Sequence, residues 1–221
     1  MPALSLLFDL DGTLTDPFAG IAGSMRHALS AMGRKPPPPQ EMRRFIGPPL
    51  QSTFLELFGE DDLAAQALGH YRQRYGEVGK FENELIPGII DMLQAVTDAG
   101  HRLFVATSKL ETYSVDIIDH FGLARFFRSV NGSMLDGTRA DKGDLIRHIL
   151  DTENLDPRRT VMIGDRLHDV RGAARNKVPA VGVLWGFGDR EELEKAGAAR
   201  IASSPDELPA LVADAAGDVS P

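Results

Sequence analysis

Residues 4–13 read LSLLFDLDGT, and this stretch indicates the architecture of the whole chain. A short apolar run that ends at a turn signal is typical of a strand buried on both faces, as in a parallel sheet. Such sheets bind ligands at the carboxyl ends of their strands, where Asp9 and Asp11 stand. In extended backbone these two carboxylates point the same way while Leu10 points into the core, and Gly12 allows a sharp turn afterwards.

The two carboxylates repel each other if they are directed at one spot. The repulsion is about 4 kcal/mol at a separation of about 4 Å when the effective dielectric constant is about 20. A bound cation or a shared proton is therefore expected at Asp9 and Asp11.

Composition limits the possible functions of the chain. Its 221 residues, 43% of them hydrophobic, are enough for a full core and a second small domain. The net charge of −8 argues against a nucleic-acid polymer as a partner, and the lack of cysteine excludes disulfides and thiolate catalysis. Without an apolar stretch of roughly 20 residues or a basic leader, we expect a cytoplasmic protein with no membrane partner.

The order of predicted elements indicates two domains. Residues 17–84 show apolar residues at helical spacing and no convincing strand, whereas helices and strands alternate from Pro87 onward. We therefore predict an α/β fold, a doubly wound parallel sheet with an inserted α-helical cap. Residues 1–16 and 85–221 would form the core and residues 17–84 the cap. Prolines near both crossings suit a hinge.

Short apolar segments predict the later strands of the core. Thr107 to Lys109 would end the first of them, Asn131 to Ser133 would form a loop, and the tail after Val212 would fray. Val115, Ile118 and Phe121 would form the inner face of a helix over 112–121. The predicted strands are 103–106, 126–130, 160–163, 180–184 and 201–202.

Polar side chains stand where these strands end. Thr107 and Ser108 follow one strand, Lys142 begins a helix, and Asp165 and Asp169 follow another strand, one helical turn apart. Each has a plainer interpretation: Thr107 and Ser108 could cap the next helix, and Lys142 could be a solvated surface residue. Their order and spacing favour one shared crevice with Asp9 and Asp11.

The DLDGT motif after an apolar run, followed in order by these groups, resembles the haloacid dehalogenase (HAD) superfamily of phosphatases. The resemblance covers nearly the whole chain. It implies that Asp9 is the nucleophile that takes the phosphoryl group, and that Asp11 is the general acid and then the base. It also implies that Thr107 and Ser108 bind phosphate oxygens and that Lys142 neutralises both nucleophile and phosphate.

The resemblance further implies a metal site. Asp165 would ligate Mg²⁺ together with Asp9 and the carbonyl of Asp11, and Asp169 would support the ion through its waters. The balance of charge also predicts a metal ion. Four carboxylates would repel a phosphate dianion, and one divalent ion and one lysine offset most of that repulsion. Oxygen ligands without cysteine or clustered histidine favour Mg²⁺ over zinc.

A helical cap inserted after the first motif resembles the phosphoglycolate phosphatase and β-phosphoglucomutase group. Residues 17–21, PFAGI, lack the histidine gate of the mutase, so hydrolysis is favoured over phosphomutase chemistry. Residues 44–50, 81–84 and 182–188 resemble a bacterial subgroup of phosphoglycolate phosphatases and 5′-nucleotidases. The expected partner is a small phosphorylated metabolite, and monomer and homodimer both stay open.

Further residues and functions remain as alternatives. Arg43 and Arg44 precede a Gly-Pro-Pro turn of the cap and are candidate substrate-specificity residues, or else solvated helix arginines. His168 is interpreted as an exposed residue at a helix start. Trp185 and Phe187 could stack on a base, although packing is favoured. From another class, a phospho-aspartate switch or a partner-binding HAD protein without turnover is the alternative to an enzyme.

Overall fold

The computed structural model describes residues 3–46 and 50–217, except the side chains of Pro39, Gln40, Arg44 and residues 213–217. The chain divides into two compact units. The sheet unit comprises the chain up to Thr15 and the chain from Leu85 onward, and the helical unit is Asp16–Glu84. The predicted Gly-Pro-Pro turn at 47–49 lies outside the described residues.

The sheet unit is built on six parallel strands. In spatial order these are β5 (Phe127–Ser133), β4 (Arg102–Leu110), β1 (Ser5–Phe8), β6 (Thr160–Gly164), β7 (Ala180–Val183) and β8 (Arg200–Ala202). The central strand β1 is flanked on both sides, since Phe8 pairs with Val105 of β4 and Ile163 of β6. The predicted α/β doubly wound class is confirmed. A separate two-stranded sheet is formed by β2 (Thr15–Asp16) and β3 (Glu84–Leu85).

Alternate residues of the strands supply two cores, one on each face of the sheet. Leu6 and Phe8 belong to one core, and Leu7 belongs to the other. This alternation is why β1 must be apolar along its whole length. The helices of the sheet unit are α5 Ile89–Asp98, α6 Glu111–His120, α7 Lys142–Thr152, α8 Leu167–Arg175, α9 Arg190–Ala196 and α10 Leu208–Gly217.

The helical unit packs its helices around buried aromatic side chains. Tyr71 stacks on Tyr75 with ring centroids 5.5 Å apart, and Phe54 meets Tyr71 edge-on. Its helices are α1 Phe18–Ala31, α2 Pro39–Met42, α3 Leu50–Phe58 and α4 Asp61–Glu77, with a 3-10 turn over Arg43–Phe45. Among the described residues of both units, no helix has the length and apolar character needed to cross a membrane.

Four local predictions were wrong. Strand β4 does not stop at Thr107 but continues to Leu110, and β5 includes the predicted loop 131–133, because a register shift between the two strands lets both continue. In α6 the inner face is formed by Ser114, Ile117 and Ile118, so Val115 is exposed. Helix α10 runs to Gly217, beyond the predicted start of fraying.

Candidate active site

The site lies at the carboxyl ends of the central strands. The amide of Asp9 donates a 2.9 Å hydrogen bond to the carbonyl of Ile163, so the backbone after β1 stays attached to β6. Lys142 is the first residue of α7, whose N-cap Asp141 accepts from the amide of Asp144. The structure thus brings residues from distant parts of the sequence to one edge of the sheet, as the order of motifs predicts.

Lys142 joins the elements of this site. Its Nζ lies 3.0 Å from Oδ1 of Asp9 and 2.8 Å from Oδ1 of Asp169, and it donates a 2.9 Å hydrogen bond to the carbonyl of Ala106. Burial alone would lower the pKa of Lys142, but Asp169 and Asp9 outweigh it and raise the pKa above its ordinary value. The interpretation of Lys142 as a solvated surface residue is wrong, because its side chain is only 5% exposed.

A cluster of three carboxylates could hold a metal ion. Oxygens of Asp9, Asp165 and Asp169 all lie within 4.8 Å of one another. Oδ2 of Asp165 accepts a 2.7 Å hydrogen bond from the amide of Phe187, whereas its buried Oδ1 has no hydrogen-bond partner in the described part of the chain. Burial, followed by repulsion from Asp169 and Asp9, raises the pKa of Asp165 well above its ordinary value.

Asp169 differs from Asp165 because both of its oxygens are engaged. Oδ2 accepts a 3.1 Å hydrogen bond from the amide of Arg166, and Oδ1 pairs with Lys142 by charge. Burial raises the pKa of Asp169 to about 6, and Asp9 adds to the rise while Lys142 opposes it. Oδ1 of Asp165 is therefore open to a cation, whereas Oδ1 of Asp169 is shared with Lys142.

The residues present fit a divalent cation. Four carboxylates, Asp9, Asp11, Asp165 and Asp169, face two lysines, which leaves an excess of two negative charges if all are ionised. An unpartnered buried oxygen on Asp165 marks the place where a ligand bond is available. The donor set consists of oxygen atoms, which suits Mg²⁺.

Lys109 also lies in the candidate site, although the motifs of the sequence do not indicate it. Its Nζ lies 2.9 Å from Oδ2 of Asp11, and its side chain is only 7% exposed. Burial nevertheless raises the pKa of Asp11, since the attraction of Lys109 only partly opposes it and the charge of Asp9 adds to the rise. The spacing of the sequence could have indicated this position. Lys109 is two residues after Thr107, and alternate residues of a strand share one face.

Glycines allow the chain to crowd around Asp165. Gly12, at φ +81°, and Gly186 approach the Asp165 carboxylate so closely that a β-carbon at either position would collide with it. Gly188 approaches the Asp165 carbonyl in the same way. The indole Nε1 of Trp185 donates a 3.0 Å hydrogen bond to the carbonyl of Thr13. The 185–188 loop after β7 therefore connects the segment that follows Asp11 to the segment that carries Asp165.

Thr107 and Ser108 lie within β4, beside the site. Thr107 is buried, and its Oγ1 accepts a 3.3 Å hydrogen bond from the amide of Lys109, while the carbonyl of Ser108 accepts from Ser133. The alternative that they cap the next helix is wrong, because the N-cap of α6 is Leu110 and no side chain caps it. Their role in binding phosphate stays a prediction.

Three further predicted residues have definite surroundings, and a fourth is not described. The Arg43 side chain is exposed, with its guanidinium carbon 5.5 Å from the ring centroid of Phe18, and the Arg44 side chain lies outside the described residues. His168 is exposed, as predicted. Trp185 packs against the core, which supports the packing interpretation.

Comparison with known proteins identifies the class. Residues 6–183 match the sequence model of the family described as haloacid dehalogenase-like hydrolase. The match covers most of the chain, so this protein belongs to that family. A structure of a predicted phosphatase from Clostridium acetobutylicum superposes with a TM-score of 0.92 and 39% identity, covering 97% of this chain and 100% of that one.

Relatives make the class more specific. A 5′-nucleotidase of Pseudomonas aeruginosa is 46% identical over 190 residues, 86% of each chain. The tyrosine-protein kinase PtkA of Mycobacterium tuberculosis is 40% identical over 86% of this chain and 65% of its own length. A phosphoglycolate phosphatase of Agrobacterium fabrum is 32% identical over 83% of this chain and 81% of its own. The predicted superfamily and the phosphatase class are confirmed.

Proposed function

We propose that this protein is a Mg²⁺-dependent phosphomonoester hydrolase that works through an aspartyl phosphate on Asp9. The observation that carries the proposal is the arrangement around this residue. Lys142 holds Oδ1 of Asp9 at 3.0 Å, and Asp165, one of whose oxygens has no hydrogen-bond partner among the described residues, belongs to the same cluster of carboxylates. A carboxylate fixed in this way can attack phosphorus with its other oxygen.

The chain's own residues account for both half-reactions. Asp9 forms a bond to phosphorus while the bond from phosphorus to the leaving oxygen breaks. Asp11, whose neutral form is favoured by burial, donates its proton to that oxygen. Asp11 then accepts a proton from water, which attacks phosphorus, releases inorganic phosphate and restores the Asp9 carboxylate.

Positive charge and a metal would stabilise the transferring group. Lys142 is held by three contacts, so its charge is fixed where the phosphoryl oxygens arrive. Thr107 and Ser108 are proposed to bind these oxygens. Asp9, Asp165 and the Asp11 carbonyl would hold Mg²⁺ directly, and Asp169 would support it. When bound, the ion supplies charge stabilisation to the transferring phosphoryl group.

The test of the proposal is an Asp9→Asn variant assayed with p-nitrophenyl phosphate. The amide keeps the shape of the side chain and removes the nucleophile, so hydrolysis should disappear while the circular dichroism spectrum is retained. Asp156→Asn, at an exposed surface position paired with Arg158, is the matched control and should keep full activity. Substantial turnover by Asp9→Asn would refute the assignment, and beryllofluoride should attach to Asp9 in the wild type.

The substrate is proposed from the relatives and from the predicted cap. Nucleoside 5′-monophosphates and phosphoglycolate are the two candidate classes, because similar proteins carry those names. We further propose residues 1–16 and 85–221 as the catalytic core and 17–84 as the cap that selects the leaving group. A cytoplasmic location and a monomeric or homodimeric state stay predictions.

A further inference from the structure

Glu192 contacts the backbone of the segment between Asp165 and Asp169. Its Oε1 accepts a 2.8 Å hydrogen bond from the amide of Leu167, the first residue of α8, and a second of 2.8 Å from Nε of Arg166. The amides at the start of a helix have no partner within that helix. Glu192 therefore supplies from α9 the acceptor that the first turn of α8 lacks.

The contacts continue from Glu192 to the proposed nucleophile. The amide of Arg166, the residue whose side chain Glu192 holds, donates to Oδ2 of Asp169. Oδ1 of Asp169 pairs with Lys142, and Lys142 pairs with Asp9. Each step is a direct contact of 3.1 Å or less. The orientation of Asp169 thus depends on a backbone segment that Glu192 holds from outside the site.

Helix α9 is itself firmly placed. The side chain of Asp189 caps it by accepting a 2.8 Å hydrogen bond from the amide of Glu192. Leu193 is fully buried against the sheet and packs so closely on Gly182 that a β-carbon there would press on it. Glu192 is consequently held on rigid elements, which is a requirement for a residue that positions others.

Two neighbours on the same helix show what an ordinary surface carboxylate does here. Glu191 and Glu194 pair with Lys195 and Arg190, and their side chains are 75% and 58% exposed. Glu192 is only 20% exposed and binds a backbone amide of another helix. Exposed pairs within one helix contribute little, whereas a partly buried acceptor for a backbone amide fixes geometry.

We propose that Glu192 is a positioning residue that holds the Asp165–Asp169 segment and thereby aims Asp169 at Lys142 and at the metal. The inference rests on the proposed Mg²⁺ site and extends it to a residue that touches neither substrate nor metal. Both donors are N–H groups, so the uncharged oxygen of glutamine can still accept both hydrogen bonds, and only the ion pair with Arg166 is lost. A shorter or missing side chain cannot accept both.

The experiment compares Glu192→Ala, Glu192→Asp and Glu192→Gln with the matched control Glu191→Ala. Mg²⁺ binding to the metal-free protein is measured by calorimetry and, independently, through the fluorescence of Trp185, the one tryptophan of the chain. We expect Glu192→Ala to weaken binding about tenfold and to lower kcat with little change in KM, since losing a residue that supports a metal site costs about 10- to 100-fold. Glu192→Gln should bind nearly as well as the wild type, and Glu191→Ala should be unchanged.

A loss of thermal stability in Glu192→Ala with unchanged Mg²⁺ affinity and kcat would overturn the proposal. Equal losses of Mg²⁺ affinity and kcat in Glu192→Gln and Glu192→Ala would also overturn the proposal, because the proposed role requires only an acceptor oxygen. If Glu192→Ala does not fold, Glu192→Asp provides the test. The proposal then requires that Glu192→Asp binds Mg²⁺ more weakly than Glu192→Gln. Failure of the proposed function itself would appear in the wild type, as no Mg²⁺ binding.

Discussion

Lys142 and Asp169 form a buried ion pair, with Nζ 2.8 Å from Oδ1 and side chains that are 5% and 2% exposed. The same Nζ lies 3.0 Å from Asp9, so one cation serves two carboxylates. Removing one partner of a buried pair leaves an uncompensated charge, which costs far more than the pair itself contributes. The stability of the site is therefore tied to this lysine.

We expect Lys142→Met to abolish hydrolysis of p-nitrophenyl phosphate and to lower the free energy of unfolding of the metal-free protein by about 3–5 kcal/mol near neutral pH. Part of this loss should return near pH 5, because burial raises the pKa of Asp169 to about 6 and protonation then removes its unpaired charge. Denaturant unfolding at both pH values measures this. The control Lys195→Met, at an exposed pair, should change stability by less than about 0.5 kcal/mol. An equally stable Lys142→Met protein would contradict the ion-pair argument.

Asp165→Asn should stabilise the protein when no metal is present. The pKa of Asp165 is raised above its ordinary value, so the folded state binds protons more tightly than the unfolded state. This contribution is favourable at low pH and is lost as the pH rises above the ordinary range. Near neutral pH with EDTA, the variant should be about 1–2 kcal/mol more stable than the wild type.

Added Mg²⁺ should reverse this order. It should raise the melting temperature of the wild type and leave Asp165→Asn unaffected, because the amide is a poor replacement for the charged ligand. Asp169→Asn should retain weak Mg²⁺ binding, since Oδ1 of Asp169 is shared with Lys142 and Oδ2 with the amide of Arg166. Stronger dependence of binding on Asp169 than on Asp165 would show that the two roles are exchanged.

The proposed acid role of Asp11 predicts a dependence on the leaving group. Asp11→Asn should lose about 10²- to 10⁴-fold in kcat/KM on an alkyl phosphate, whose leaving alcohol needs a proton. The loss on p-nitrophenyl phosphate should be much smaller in the first half-reaction, because nitrophenolate departs without a proton. Burst kinetics separate the two half-reactions. Equal losses in that first step on both substrates would remove Asp11 from the acid role.

Gly186→Ala tests whether the crowding around Asp165 matters. The new methyl group would collide with the Asp165 carboxylate and the Gly12 carbonyl, so Asp165 must move. Mg²⁺ affinity should fall by roughly tenfold or more. The control Gly69→Ala, at an exposed site inside α4 with nothing within 4 Å of the new carbon, should leave Mg²⁺ affinity intact and stabilise the helical unit by about 0.4–1 kcal/mol. Unchanged affinity in Gly186→Ala would argue against the loop's role.

Arg43 and Arg44 provide the test of substrate class. A guanidinium can pair with the carboxylate of phosphoglycolate, which a nucleoside monophosphate lacks. If phosphoglycolate is the substrate, alanine at either position should lower kcat/KM on it by roughly 10- to 150-fold and affect p-nitrophenyl phosphate little. Small and equal losses would reject both arginines, and a wild-type preference for nucleoside monophosphates would favour the nucleotidase alternative.

Much of the fold could be predicted because it depends on residue type. Apolar runs buried on both faces mark β1 and β6, and the acidic residues after them follow directly in the sequence. The ends of β4 and β5 were harder to predict from the sequence. Polar residues at 107–109 and residues 131–133 continue β4 and β5. The register shift and the side chain of Asn131, which donates to the carbonyl of Val105, stabilise extended backbone there.

The parts of the candidate site that the sequence does not predict depend on backbone groups and on contacts between charged residues that are distant in the sequence. The amide of Phe187 that orients Asp165 is present in every residue except proline, so no residue type reveals it. The polar residues 107–109 predict the end of a strand, and only the continuation of β4 brings Lys109 to Asp11. The contribution of Glu192 comes through tertiary contact between two helices, which periodicity cannot show.

The position of β1 in the sheet has a consequence for how the polypeptide folds. Its neighbours are β4 and β6, which are made about a hundred and about a hundred and fifty residues later. Such distant pairings close large loops and slow folding, whereas the helical unit is one uninterrupted segment. During synthesis the helical unit can form first, while β1 stays unpaired until β4 leaves the ribosome and keeps one open edge until β6 does. We therefore expect truncation of the nascent chain before residue 160 to leave an aggregation-prone intermediate.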